Sequence, residues 1–312
     1  MILITGASGY LGSHITRRLA EMGFPIRAMI HNLQHTEKEQ RLKNLEIQWV
    51  QGDVTKPETL ASALQEVTTI IHTVAIAVEK GDLTYEAINF QGTVNIVDLA
   101  KASGVKRLIN ISQLGADATL PYRFLASKGR AQDYVARSGL DWTAFRPSVI
   151  WGPEDEFANT FAKLIPITPL IFPIIGDKNT IFQPVWVEDV ACAVIKSLDM
   201  PESIAKEYEL GGPEILTLEE IERRTLAAIG AKRKLIHFPM SLLHMAVSIM
   251  EAILPSPPVT RSLLELLQVS NVTTSNTLNQ FIENPKPFLP ENIAPYMRTF
   301  KVKDTLAAYI NR

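Results

Sequence analysis

Cysteine is almost missing from this sequence. One residue, Cys192, stands among 312, which excludes an internal disulfide and any cysteine-built zinc cluster, and no metal site is expected. It lies in the apolar run VACAVI and reads as a buried small hydrophobe in a reducing compartment. An excess of one charge is missing too. The 31 basic and 33 acidic residues leave a formal net charge of -2, so no electrostatic footprint points to nucleic acid, and none is expected as a partner. Uninterrupted apolar runs of about 18 residues, the length of a membrane span, are also absent. The nearest, Met240–Pro255 (MSLLHMAVSIMEAILP), carries His244 and Glu251 and ends at a proline. Ile2, Leu3 and Ile4 already read as a buried strand, so no signal or transit peptide is expected ahead of the fold. The expected location is the cytoplasm or an organelle stroma, with peripheral attachment to a membrane left open.

What is present is an alternation of short apolar runs and helical patterns. Ile2–Ile4, Ile26–Ile30, Ile47–Val50, Thr69–Thr73 and Leu108–Ser112 read as strands. Tyr10–Met22, Glu37–Lys43, Pro57–Leu64 and Ala87–Ala102 read as the helices between them. Continuously apolar strands separated by helices are parallel strands covered on both faces. The fold class is therefore α/β, a doubly wound parallel sheet of the Rossmann type over residues 1–150. Later segments, at about 182–212, are expected to complete the sheet, and residues 151–312 to form a smaller, irregular lobe for a substrate or partner. Prolines crowd Pro166–Pro173, which reads as a loop or short helical turns with an apolar face, and recur at Pro255, Pro257 and Pro258 and from Pro285 to Pro295.

The sharpest signal is ILITGASGYLGSHITRRL. Gly6, Gly9 and Gly12 follow a strand directly and precede an amphipathic helix. That order suits a pyrophosphate: Gly6 permits the tight turn, Gly9 lets the backbone approach, and Gly12 brings helix and strand close. The helix N-terminus then presents N–H groups and a partial positive charge. Thr5, Gly6, Ser8, Gly9, Tyr10, Leu11 and Gly12 are the predicted nicotinamide-dinucleotide loop. An NAD-selective site usually ends its second strand on an acidic residue. Here that strand ends Met29-Ile30-His31-Asn32, with Arg27, Lys38 and Arg41 nearby, which favours NADP(H) over NAD(H).

The spacing of these glycines resembles the short-chain dehydrogenase/reductase superfamily, and downstream segments resemble its extended branch. By that resemblance, Asp53 and Val54 in GDVT lie near adenine, and Ala75 in IIHTVAIA lines the cofactor. Asn89 opens the long helix and braces a strand end. Asp53 read from its own neighbourhood is equally a turn residue bonding its own backbone. Members of the superfamily carry Ser, Tyr and Lys, with Tyr and Lys four apart on one helix face so that the ammonium lowers the phenol pKa. Ser112 and Lys128 stand at two of these positions, but Phe124 replaces the tyrosine, and a phenyl ring has no proton to give. Tyr122 substitutes only if the helix starts after it. Ser112 reads as a hydrogen-bond donor to a carboxamide or substrate, and Lys128 as a holder of the ribose hydroxyls.

FRPSVIWGPEDEFANTFAKL, FQPVWVEDVACAV and YELGGPEILTLEEI narrow the resemblance to the atypical branch containing the Rossmann-type accessory subunit of respiratory complex I and its prokaryotic relatives. It implies that Pro147 and Val149 lie beside the nicotinamide, and that Asp189 ties the lobes together with Arg146. Asp189 also reads as a helix-start carboxylate. In the tail, Leu242, Ala246, Ile249, Met250 and Ile253 share one helix face. The expected role of that stripe is core. The alternative is a membrane surface or protein partner met through 240–267, a stretch in which Val259–Leu267 repeats the pattern. Two function classes follow. Either the nicotinamide cofactor serves structure, assembly or sensing with little turnover, or the chain is a reductase or epimerase that uses Lys128 on a hydrophobic carbonyl, quinone or isoprenoid.

Overall fold

The computed structural model describes residues 1–31, 42, 45–165, 168, 170–174, 179–254, 257 and 259–297. The predicted Glu37–Lys43 helix, and Asn32, Lys38 and Arg41, lie outside the described residues, with Leu42 the one exception on that helix. The chain forms two compact units. The first comprises Met1–Pro147, Val187–Leu210 and Ser275–Glu283, and the second takes the rest.

Seven strands build the first unit: β1 Ile2–Thr5, β2 Ile26–Ile30, β3 Gln48–Gln51, β4 Thr69–His72, β5 Arg107–Ile111, β6 Asp141–Pro147 and β7 Lys206–Leu210. They pair in the order β7-β6-β5-β4-β1-β2-β3, and every pairing is parallel. The helices are α1 Tyr10–Glu21, α2 Gly92–Ala102, α3 Arg123–Ala136 and α4 Val187–Lys196. This is the doubly wound Rossmann arrangement. All of β1 and β2 is buried, because successive side chains point to opposite faces and helices cover both. On one face Leu3, Ile70 and Leu108 meet Ile96, Val97 and Ala100 of α2 and Val135 of α3.

Local departures have physical causes. The predicted helix Pro57–Leu64 is two separate 3₁₀ turns, Pro57–Thr59 and Ser62–Leu64. The buried Arg27 guanidinium takes the Ala63 and Gln65 carbonyls that a continuing helix would use itself. The helix expected from Ala87 opens with a π turn, Glu86–Gln91, before α2. Cys192 is half-buried rather than sealed in the core. In α4, Glu188 sits in the first turn, where a carboxylate suits the dipole. It also bonds His14 and Arg18 of α1. Burial raises its pKa, but these two partners outweigh that and hold it at about 2.

The second unit has no large sheet among its described residues. Its strands pair in twos: Ile150–Trp151 with Val185–Trp186, Ile181–Phe182 with Leu216–Thr217, and Ile171–Ile174 with Lys234–His237. The last pair corrects the loop expected across Pro166–Pro173, of which residues 166, 167 and 169 lie outside the described set. Pro173 is tolerated because a two-stranded ribbon leaves each strand a free edge. The Leu218–Ile229 helix is capped by a Thr217/Glu220 capping box and stopped by Gly230 at φ +72, both strong local signals. Aromatic side chains fill the core, with Trp151, Phe161, Phe172, Phe182 and Phe288 all sealed from solvent. Buried Asp155 gathers the loop behind Trp151, accepting backbone N–H bonds from Gly152, Phe157 and Asn159 at 2.8–2.9 Å. Burial raises its pKa to about 6 against the pull of those bonds.

The Met240–Ile253 helix overturns the core expectation. Leu242, Met245, Ile249 and Ile253 are 48%, 57%, 53% and 71% exposed. Val247 is the residue that is buried, with Leu243 and Met250 packed beside it. The helix is apolar nearly all round, so periodicity identifies a shared face but not the covered one. In the next segment Val259, Leu264 and Leu267 are buried.

Candidate nucleotide-binding site

Strand order reverses direction between β1 and β4, and ligands of such sheets bind beyond the strand ends at that switch point. The glycine loop lies there. Gly6 has φ +70, and a Cβ on it would stand 2.8 Å from Thr73 Oγ1. A Cβ on Gly12 would stand 2.1 Å from the Gly6 carbonyl oxygen, a backbone atom that cannot step aside. Gly9 is exposed, donates its N–H to Gly6 O at 2.8 Å and accepts from Ser13 N at 2.9 Å. It caps α1 without a side chain, and no acidic residue occupies the first turn. A bare, positively polarised helix end over a cradle that any side chain would fill fits a pyrophosphate. Ser8 and Tyr10 are half-buried and Leu11 is buried.

Thr5 is turned inward. Its hydroxyl bonds His72 Nδ1 at 2.7 Å, while His72 Nε2 meets Thr93 Oγ1 at 3.1 Å. Thr93 spends its one proton on Asn89 O at 2.8 Å, so it accepts from Nε2–H, and Thr5 donates to Nδ1. Burial above all, with Lys128 second, holds His72 down to about 3, which keeps the ring neutral. His72 is the residue sequence reasoning overlooked; its signal was a polar residue at the end of an apolar strand. Asn89 clasps Ile76 by both backbone groups, at 2.8 and 3.1 Å, and so steadies the stretch after β4 that carries exposed Ala75. Glu79 bonds Arg123 and Tyr85 N, tying the following residues to the start of α3.

Beyond β2, Gly52 N donates to Ile30 O at 3.0 Å, which sets Asp53 beside His31. Asp53 Oδ1 is occupied by the Thr55 N–H and hydroxyl, at 2.9 and 2.7 Å. Oδ2 lies 3.7 Å from His31 Nδ1 and 3.8 Å from Lys56 Nζ. Burial raises this carboxyl's pKa, and the Thr55 bonds with the two neighbouring bases more than offset it, leaving a net lowering. The Val54 side chain enters the core, and its carbonyl accepts from Asn95 at 2.7 Å.

At the opposite side, Ser112 directly follows β5, with its N–H on Phe145 O at 2.7 Å and its hydroxyl buried without a partner among the described residues. Lys128 is buried, donates Nζ to Ile111 O at 2.7 Å, and is lowered by burial to about 8. The Phe124 ring packs edge-to-face on Tyr85 with centroids 5.6 Å apart, and the Tyr85 hydroxyl is spent on Ala77 O. Tyr122 is the N-cap just outside α3. Pro147 ends β6, its carbonyl accepting from Leu114 N. Val149 lies in the second unit, its N–H on Asn271 Oδ1 and its carbonyl on Val185 N. Arg146 forms ion pairs with Glu207 and Glu209, at 3.2 and 3.6 Å.

The profile of a family described as NAD(P)H-binding matches residues 6–161. The mitochondrial NADH dehydrogenase (ubiquinone) 1 alpha subcomplex subunit 9 of Arabidopsis thaliana is 28% identical over 222 residues, 70% of this chain and 55% of that protein. The chain thus spans about half the length of that relative. The Photosystem II assembly factor Ycf39 of Guillardia theta is 28% identical over 243 residues, 78% of this chain and 74% of that protein. Among solved structures, a Thermus thermophilus UDP-glucose 4-epimerase complexed with NAD shares the fold. Its TM-score is 0.71 at 21% identity, covering 95% of this chain and 97% of that one. The matched profile opens on Gly6, directly after β1, and takes in the glycine loop and β2 to β6: the chain belongs to the NAD(P)H-binding family.

Proposed function

We propose that this protein holds a nicotinamide dinucleotide as a structural, assembly or sensing element, with little or no turnover by a Tyr–Lys mechanism. One observation carries the reading: Phe124 stands where the phenol would be, and Lys128 Nζ is already committed to the Ile111 carbonyl. A positioned general acid or base contributes roughly 10²–10⁴-fold in rate, and this site lacks the usual one. The names of two relatives, a respiratory-complex subunit and an assembly factor, point the same way. Thr5, Gly6, Ser8, Gly9, Tyr10, Leu11 and Gly12 would form the pyrophosphate loop, with the inward-turned Thr5 bracing it; His31, Asp53 and Val54 would receive the adenosine half, and Ala75 would line the cofactor. Ser112, Lys128, Pro147 and Val149 would receive the nicotinamide half, which when bound supplies hydride chemistry. NADP(H) is favoured over NAD(H), because no carboxylate ends β2 at His31. The second unit would supply the substrate or partner lobe, with 240–267 as an association surface for a membrane or protein in the cytoplasm or an organelle stroma.

A second reading rests on Lys128 at about 8, within reach of service as an acid. It makes the chain a reductase or epimerase on a hydrophobic carbonyl, quinone or isoprenoid. Two experiments decide. Calorimetric titration should give tighter binding of NADPH than NADH, lost in Gly9→Val with the fold retained. NADPH oxidation across a carbonyl and quinone panel should be slow for the wild type, and Lys128→Ala should weaken cofactor affinity. Fast wild-type turnover that vanishes in Lys128→Ala with affinity preserved would overturn the first reading in favour of the second.

A further inference from the structure

The second unit turns an uncharged surface outward. Along the Met240–Ile253 helix the exposed residues are Ser241, Leu242, Met245, Ala246, Ser248, Ile249, Ala252 and Ile253. None of them is charged. Glu251, the one acid of the helix, is drawn aside by Arg261, which bonds it through Nε at 2.6 Å and backbone N at 2.9 Å. At about 1.5 Å per residue this face runs roughly 21 Å. The chain enters it from the Lys234–His237 strand through exposed Phe238. Beside that strand lie exposed Leu170 and Ile171; the Lys234 N–H is on Leu170 O at 3.1 Å.

The same strand borders a cavity of about 580 Å³ lined by Arg223, Lys232, Arg233, Lys234 and Glu219. Glu219 is engaged by Arg223 and by His237, and Arg233 Nε by the Thr168 carbonyl at 2.6 Å. Lys232 and Lys234 are exposed and have no ion-pair partner among the described residues. In a chain of net charge -2 this is a local positive cluster, carried in part by the strand that leads into the apolar helix. The face offers no tyrosine, tryptophan or arginine, the anchors of protein interfaces. Binding to a membrane interface grows with the apolar area buried and with attraction of nearby basic residues to anionic lipid, and here the helix offers the first and the strand before it the second.

We propose that the second unit docks on an anionic bilayer. The Leu242–Ile253 face enters the boundary between headgroups and acyl chains, and Arg223, Lys232 and Lys234 hold phosphoryl headgroups. The inference rests on 240–267 being an association surface, and it names the occupant.

The test is co-sedimentation of the full chain with vesicles of phosphatidylcholine alone or mixed with phosphatidylglycerol. Each basic residue near an anionic surface is worth about fivefold in partitioning. Anionic vesicles should therefore bind at least about tenfold better, an advantage that salt removes. Lys232→Glu with Lys234→Glu should lose about tenfold or more on anionic vesicles. Leu242→Glu with Ile249→Glu should abolish pelleting on both. Inorganic phosphate at matched ionic strength should not compete; competition would mean a free-phosphate site and overturn the proposal. Equal binding to both vesicle types, or variants that pellet like the wild type, would overturn it as well. So would a dimer, seen by light scattering, that Leu242→Glu with Ile249→Glu dissolves, since a second copy would then cover the face. NADPH titration of the same samples keeps the two readings apart. Lost vesicle binding with intact nucleotide affinity removes the membrane alone, whereas lost nucleotide affinity in the wild type removes the cofactor reading.

Discussion

The two units solve the same problem of enclosing polar backbone with opposite means. In the first, seven parallel strands satisfy one another and aliphatic side chains seal both faces. Two of its buried ionisable groups, His72 and Lys128, are bases that burial pushes toward neutrality. In the second, short strand pairs leave much of the loop backbone unpaired by sheet, and large aromatic rings fill the gaps. There a buried acid, Asp155, collects the amides of one loop. A continuous sheet needs little from side chains beyond bulk and alternation, whereas an irregular unit depends on single residues placed to serve particular backbone groups.

The strongest way to break this contrast is a matched pair of glycine substitutions. A Cβ at Gly12 would sit 2.1 Å from the Gly6 oxygen, and one at Gly212 would sit 1.8 Å from the Pro184 oxygen. Gly12→Leu and Gly212→Ala should each destabilise its own unit by more than about 3 kcal/mol. Hydrogen exchange read by mass spectrometry should find the loss confined to that unit; equal loss in both would mean they unfold as one.

A smaller effect comes from pH, with opposite signs in the two units. The unfolded His72 imidazole takes a proton below about 6.5 while the folded one waits until about 3. Its contribution is therefore present above 6.5 and is lost as pH falls, at up to about 1.4 kcal/mol per pH unit. Folded Asp155 holds its proton up to about 6 against 3.8 unfolded. Its contribution is complete below 3.8 and is lost as pH rises through 6. On acidification, exchange protection should fall in β4 and rise across Gly152–Asn159. His72→Gln and Asp155→Asn should flatten the respective trends, and parallel trends in both regions would contradict the assignment.

The smallest effects separate groups held for a ligand from groups held for the fold. Ser112→Ala removes a buried hydroxyl that has no partner among the described residues. Without nucleotide it should be neutral or stabilising by up to about 1 kcal/mol, while NADPH affinity falls. A destabilised apo-protein in thermal melts would show that the hydroxyl serves the fold. Ile253→Lys, on the outward face, should move stability by no more than about 0.5 kcal/mol.

The same contrast decides what could be read in advance. Ile26–Ile30 was legible to the residue, since a strand buried on both sides is written as an unbroken apolar run. Gly6 and Gly12 were legible because a left-handed φ and a close backbone approach admit almost nothing else. The strand Ile171–Ile174 was hidden by Pro173, whose place is settled by its partner strand rather than by its neighbours. The outward turn of Leu242 and Ile249 was hidden because an all-apolar helix does not say which side meets the core. His72 was hidden because its meaning lies in Thr5, 67 residues upstream, and Thr93, 21 downstream.

The chain from Thr5 through His72 and Thr93 to the Asn89 carbonyl has a consequence for charge. Each member donates in one direction, and the last acceptor, a backbone carbonyl, has no proton to hand on. Sending a proton along this line would require the ring to become a cation, which burial disfavours by holding its pKa down to about 3. The line is therefore an insulator. It ties the end of β1, just ahead of the glycine loop, to the Asn89 carbonyl through neutral groups alone.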